Sequence, residues 1–118
     1  MRARKGGEAE MTERDLQAWV IVLARLLGWR VAHFRPARTA HGWRTPVAGD
    51  GAGFPDLVLV GHGRVLFREL KAGRGRLRPE QEAWLSALRS SGADAEVWTE
   101  ADWIRGAVEA DLRYAERD

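Results

Sequence analysis

The chain has 118 residues, 45% apolar and 31% charged, which suits one folded domain with its own core and is too short for two. It carries no cysteine, excluding disulfides, thiolate zinc sites and iron–sulfur clusters. It shows neither a bilayer-length apolar run nor a signal-peptide pattern, so a reducing cytoplasm is the expected home. Net charge is only +2, yet residues 30–78 set ten Lys/Arg against Asp50, Asp56 and Glu69, while residues 79–118 set ten acids against four Arg; this asymmetry suggests a polyanion-binding face, with solvated surface arginines as the plainer reading.

Residues 1–10 are charged and Gly-rich and read as a flexible basic tail, with Met11 leaving a second start open. A single domain is expected over 11–114, and 115–118 as a flexible end. Thr12 is a candidate N-cap, with Glu13 and Asp15 in the first turn, where the helix dipole favours anions. Leu16, Trp19, Val20, Leu23, Leu26 and Leu27 recur at helical spacing and Gly28 supplies a stop, predicting a helix over 12–27. Trp29–Arg35 alternates as a strand, with Val31 and His33 on one face and Ala32 and Phe34 on the other.

Residues 36–54 show no periodicity and read as a long loop, for which function or disorder is the usual explanation. The run Leu57–Val60 predicts a strand buried on both faces, Gly61-His62-Gly63 a turn, and Arg64–Lys71 the returning strand of a hairpin. With that turn, Val60 falls opposite Val65 and Asp56 opposite Glu69. Alternation places Glu69 and Lys71 on the face of Val65 and Phe67, a face expected to begin buried and end charged. After a Gly/Arg loop over 72–77, Pro79 opens a helix whose stripe is Trp84, Leu85 and Leu88, capped by Gly92. Ala95–Trp98 is a short strand, and Thr99 caps a last helix with Trp103, Ile104, Ala107, Val108 and Leu112 inward. The order α-β-β-β-α-β-α, without internal repeat, is that of an α/β domain.

Asp56 after Gly53-Phe54-Pro55 is ordinary turn chemistry when taken alone, and Glu69-Leu70-Lys71 alone is a solvated strand face. Together they place two carboxylates and an ammonium around one point. That set can hold Mg²⁺ through hard oxygen ligands and assist phosphodiester hydrolysis. Glu13 offers a third carboxylate, with a dipole role as its alternative, and Gln17 lies one turn on along the same face. Gln81 shares the buried stripe of its helix, where an amide requires partners; a core-edge glutamine is the alternative. His33 and His41 lack ligand-like spacing and stand as minor candidates, and His62 is expected to face solvent. Arg35, Arg38, Arg44, Arg74, Arg76 and Arg78 flank the motif as phosphate contacts, and Trp43 could stack on a base.

Gly53-x-Pro55-Asp56, Glu69-x-Lys71, then Gln81 with Trp84-Leu85 and Gly92 resemble the VRR-NUC (virus-type replication-repair nuclease) family of the PD-(D/E)XK nuclease superfamily. Thr12-Glu13, Gln17 and Gly28-Trp29 fit the same pattern, so the resemblance covers about residues 11–108. It implies a restriction-endonuclease-like αβββαβ core, a mixed sheet flanked by helices. It further implies catalytic roles for Asp56, Glu69, Lys71 and Gln81, and Mg²⁺, with Mn²⁺ as a substitute, held by Asp56, Glu69, the Leu70 main-chain carbonyl and Glu13. No organic cofactor and no membrane partner are expected. Similarity to Holliday-junction resolvases implies a homodimer acting on branched DNA; a flap, nick or sequence-specific nuclease, a catalytically silent DNA-binding subunit, and an RNA- or protein-binding domain remain alternatives. Two features depart from the family pattern: the 36–54 loop is long, and Arg78 stands where a small capping residue is usual.

Overall fold

The computed structural model describes residues 11–34, 37–39, 42–44 and 48–113. In chain order the elements are α1 (Glu13–Leu26), β1 (Arg30–His33), β2 (Ala37–Thr39), β3 (Gly42–Arg44), β4 (Leu57–Gly61), β5 (Arg64–Lys71), α2 (Pro79–Ser90), β6 (Asp94–Thr99), α3 (Glu100–Ile104) and α4 (Ala107–Arg113). Four strands form one sheet in the order β1-β4-β5-β6, antiparallel from β1 to β5 and parallel between β5 and β6. This is the expected α/β architecture, a mixed sheet flanked by helices.

Helix α1 begins where Thr12 accepts the Asp15 N–H at 3.0 Å and Asp15 returns the bond to the Thr12 N–H at 3.2 Å. This reciprocal cap satisfies two of the amides that a helix start leaves without partners. The helix ends at Leu27, followed by Gly28 in the left-handed region. One face of the sheet, carrying Leu57, Leu59, Leu66, Leu70 and Trp98, packs on Leu16, Val20 and Ala24 of α1 and Val108 and Leu112 of α4. Each such leucine contributes roughly 2 kcal/mol through removal from water. Buried among them, Arg68 pairs with Asp94 at 2.9 Å and lies over the Trp98 ring at 4.9 Å. Helix α2 covers the opposite face only at its β5–β6 end, where Phe54 meets Phe67 and Trp84 edge to face.

This uneven cover corrects several expectations. Leu57 and Leu59 are buried, but Val60, on the face that α2 does not reach, is exposed; β4 is not buried on both sides. The face of β5 runs opposite to expectation: Val65 is exposed, Phe67 is half-buried and Glu69 is fully enclosed. Trp19 and Leu26 point away from the core because the buried stripe of α1 is narrower than its apolar content. The segment 36–54 is not wholly structureless, since β2 and β3 form a two-stranded antiparallel sheet within it. The last helix is two, α3 and α4, separated by Arg105 and Gly106 with the glycine at φ +85°, and Ile104 faces solvent. His62 is exposed as expected, yet its Nε2 lies 2.8 Å from the Leu27 carbonyl, tying the hairpin turn to the end of α1.

Gly53 has φ +85°, and a Cβ there would lie 2.6 Å from the Glu80 backbone. Gly63 has φ +78° with open space around it. Gly53→Ala is therefore expected to cost about 2 kcal/mol or more, and Gly63→Ala about 1 kcal/mol. Urea unfolding monitored by circular dichroism checks the order of the two.

Candidate active site

The site lies where β4 begins and β5 ends. The β4–β5 ladder pairs Val60 with Val65 and Leu57 with Arg68. One step further in this register sets Asp56 opposite Glu69, as the sequence predicts. The next step would set Pro55, which has no amide hydrogen, opposite Leu70. There the ladder stops, and the Leu70 N–H instead donates to Asp56 Oδ2 at 2.8 Å. The side chain that ends the strand pairing is thereby oriented toward its neighbour strand.

Glu69 is 2% exposed. Its Oε2 accepts the Gln81 Nε2–H at 3.0 Å and lies 3.5 Å from Lys71 Nζ, while its Oε1 has no hydrogen-bond partner. Gln81 is held from its other end, since its Oε1 accepts the Arg78 N–H at 2.8 Å. The amide thus caps α2 and fixes Glu69 in one stroke, which accounts for an arginine at the cap position: the capping oxygen comes from inside the helix. Lys71 Nζ also lies 3.9 Å from Glu13 Oε2, linking α1 to the motif. Gly75 admits that carboxylate, since a Cβ at Gly75 would approach Glu13 Oε2 to 2.6 Å.

Burial, then the facing Asp56 carboxylate, pushes the Glu69 carboxyl up to about 8, against the opposing pull of Lys71. Burial also raises Asp56, with the Leu70 amide and then the remaining partners opposing it. Without a metal, burial and the facing carboxylate therefore favour the protonated form of Glu69 near neutral pH. The pair could hold a divalent cation, which would neutralise both carboxylates and give Glu69 Oε1 a partner. Among the described residues no group of three or more His, Asp or Glu side chains converges on one point.

Arg74, Arg76 and Arg78 are exposed on the connection from β5 to α2, next to the motif. Arg38, Trp43 and Arg44 belong to the β2–β3 pair, with Arg38 opposite Trp43, and are described as backbone alone. Arg35 and His41 lie outside the described residues. His33 lies opposite Leu57 in the β1–β4 ladder, with a buried Nδ1 that lacks a hydrogen bond. Sequence reading missed Glu100, which accepts the Gly73 N–H at 3.1 Å and the Met11 N–H at 3.4 Å and so ties the loop after β5 to the start of α1. Its only sequence signal was an acid after a capping threonine, which looks like dipole chemistry.

In the metal-free protein Glu69 keeps its proton up to about pH 8, whereas the unfolded chain releases it near 4.5. Over that window the native state binds the extra proton, so stability falls as pH rises from about 4.5 to 8 and levels off above. Thermal unfolding in a chelator across this range is expected to show the fall, with Glu69→Gln removing much of it. Mg²⁺ or Mn²⁺ should raise the wild-type Tm at pH 8 and leave that of Asp56→Ala unchanged.

A family model for the VRR-NUC domain matches residues 9–101, a span containing α1, the whole sheet and every residue of the site just described. No curated protein and no solved structure matches the chain. None of the described helices is long and apolar enough to cross a membrane. With the mixed sheet and its acid–acid–lysine cluster, the match over most of the sequence establishes that the chain belongs to the VRR-NUC family, nucleases of the PD-(D/E)XK type.

Proposed function

We propose that this chain is a metal-dependent, structure-selective DNA endonuclease that acts as a homodimer on branched DNA, in the manner of a Holliday-junction resolvase, during repair, recombination or phage replication. The observation that carries the reading is the Asp56–Glu69 pair, with Glu69 enclosed and Lys71 Nζ 3.5 Å from it, bordered by the exposed Arg74, Arg76 and Arg78. Asp56, Glu69 and the Leu70 carbonyl would hold Mg²⁺ or Mn²⁺, with Glu13 as an outer carboxylate. When bound, the cation supplies Lewis-acid stabilisation of the charge that develops on the scissile phosphate.

The protein's own groups do the rest. Gln81 holds Glu69 in a single orientation, so the acidic pair is arranged before substrate arrives. Lys71, placed between Glu13 and Glu69, orients the attacking water, and its positive charge offsets the negative charge that develops at the phosphate. Arg74, Arg76 and Arg78 contact phosphates without reading bases, which suits recognition of DNA by shape. Two symmetric strand cuts at a junction follow naturally from a two-fold dimer.

Asp56→Ala and Lys71→Ala are each expected to reduce cleavage by roughly 10³-fold while largely preserving DNA binding. A panel of labelled junction, flap, nicked and linear duplexes with Mg²⁺, cut by wild type and by Asp56→Ala, tests activity and substrate class together. Preferential cutting of flaps or linear duplex would replace the junction reading, and wild-type rates in either variant would remove the site assignment. Arg74→Ala and Arg76→Ala should each lower the slope of log affinity against log salt by about 0.9, equally across DNA sequences. A salt titration of binding checks this.

A further inference from the structure

Glu100 stands outside the acidic pair, yet both of its oxygens are engaged next to it. Oε1 accepts the Gly73 N–H at 3.1 Å, two residues beyond Lys71, and Oε2 accepts the Met11 N–H at 3.4 Å, two residues before Glu13. The helix that Glu100 opens does not need it. Thr99 and Asp102 cap α3 reciprocally, at 2.9 and 3.1 Å, and neither bond involves Glu100. A carboxylate that turns from its own helix start to amides of two other segments holds those segments together.

The same gap is crossed a second time by side chains, since Lys71 Nζ lies 3.9 Å from Glu13 Oε2. That contact is too weak to set the place of Glu13. It is long, the Glu13 side chain is 46% exposed, and an ion pair open to water is screened and costs rotamer freedom. The backbone on either side has to be fixed first, and Glu100 fixes it. Gly75 supplies the room. A Cβ there would lie 2.6 Å from Glu13 Oε2 and 3.4 Å from Lys71 Cδ, so the carboxylate takes the space that a side chain would fill. Gly75 is outside the left-handed region, so no backbone requirement accounts for a glycine at this position.

We propose that Glu100 and Gly75 are positioning residues that hold Glu13 at the metal site, Glu100 by joining the two backbones and Gly75 by leaving the carboxylate its seat; this rests on the metal-dependent nuclease reading above. Asp56 and Glu69 need no such device, because the β4–β5 register and Gln81 hold them. Glu13 does need one. It comes from α1, which packs on the other face of the sheet from Glu69, and it meets the site only at the end of β5.

Mn²⁺ titration of thermal unfolding, beside cleavage of labelled junction, flap and linear DNA, tests the placement through a double-mutant cycle with Glu13. Glu13→Ala, Gly75→Ala and Glu100→Ala should each raise the half-saturating Mn²⁺ concentration about tenfold and lower kcat about tenfold. In chelator Gly75→Ala should unfold close to wild type, because the atom it displaces is the mobile end of a side chain. Glu100→Gln keeps one accepting oxygen and should fall between wild type and Glu100→Ala. Once Glu13 is replaced by alanine, adding Gly75→Ala or Glu100→Ala should change Mn²⁺ binding by less than about twofold, as expected of residues that act through one carboxylate. Equal losses with and without Glu13 would reveal a general structural role and overturn the placement, as would wild-type Mn²⁺ binding in Gly75→Ala. A wild type that shows the coupling in Mn²⁺ binding but cuts no DNA removes the nuclease reading and leaves the placement standing. Mn²⁺ without effect on the wild type overturns both.

Discussion

Two carboxyl groups face one another across the end of an antiparallel strand pair, and the neighbouring elements are arranged around the cost of holding them there. Taking a carboxylate out of water is expensive, and placing a second beside it is more so. Asp56 is offset by the Leu70 amide that the strand ladder no longer uses, and Glu69 by the Gln81 amide and the Lys71 ammonium. These partners come from β5 and the start of α2, while Asp56 stands at the head of β4. The relation of β4, β5 and α2 to one another is therefore fixed at one point, and that point is the site.

Helix α2 has a double function in this arrangement. Its third residue caps its own first turn through one end of an amide and grips Glu69 through the other. Gly53 lets the preceding loop approach the same turn closely, and Phe54 wedges between Phe67 and Trp84. Among the described residues, cover over this face of the sheet is thick at Glu69 and thin toward Val60 and Val65. Glu69 is consequently enclosed while apolar residues on the same strand meet solvent, and its proton affinity rises because water is excluded from it.

The surplus of positive charge between residues 30 and 78 divides by location. Arg68 and Arg64 are spent on Asp94 at the far end of β5, and Arg68 is packed against Trp98. Arg74, Arg76 and Arg78 stay exposed on the loop that leaves the site. An identical residue type thus serves core closure in one place and a positive rim in another. Position on the strand, against Trp98 and Asp94, or on the loop beyond its end decides between the two.

By itself the sequence determined the cap and stop of α1 and the register of the β4–β5 hairpin, because these rest on interactions between near neighbours. Thr12 and Asp15 find each other within one turn, Gly28 ends a helix by its own backbone freedom, and a tight connection at 61–63 fixes which residue faces which. From that register the meeting of Asp56 and Glu69 followed, and the buried position of Gln81 followed from helical period. Only the tertiary structure decided what covers what. Apolar alternation could not distinguish Leu57 and Leu59, under α1 and α4, from Val60, left bare because α2 is short and lies toward β6. Nor could helical spacing tell Val20, at the core, from Trp19 and Leu26, turned outward. Burial is set by the elements that pack on a surface from a distance along the chain, and no local pattern records their reach.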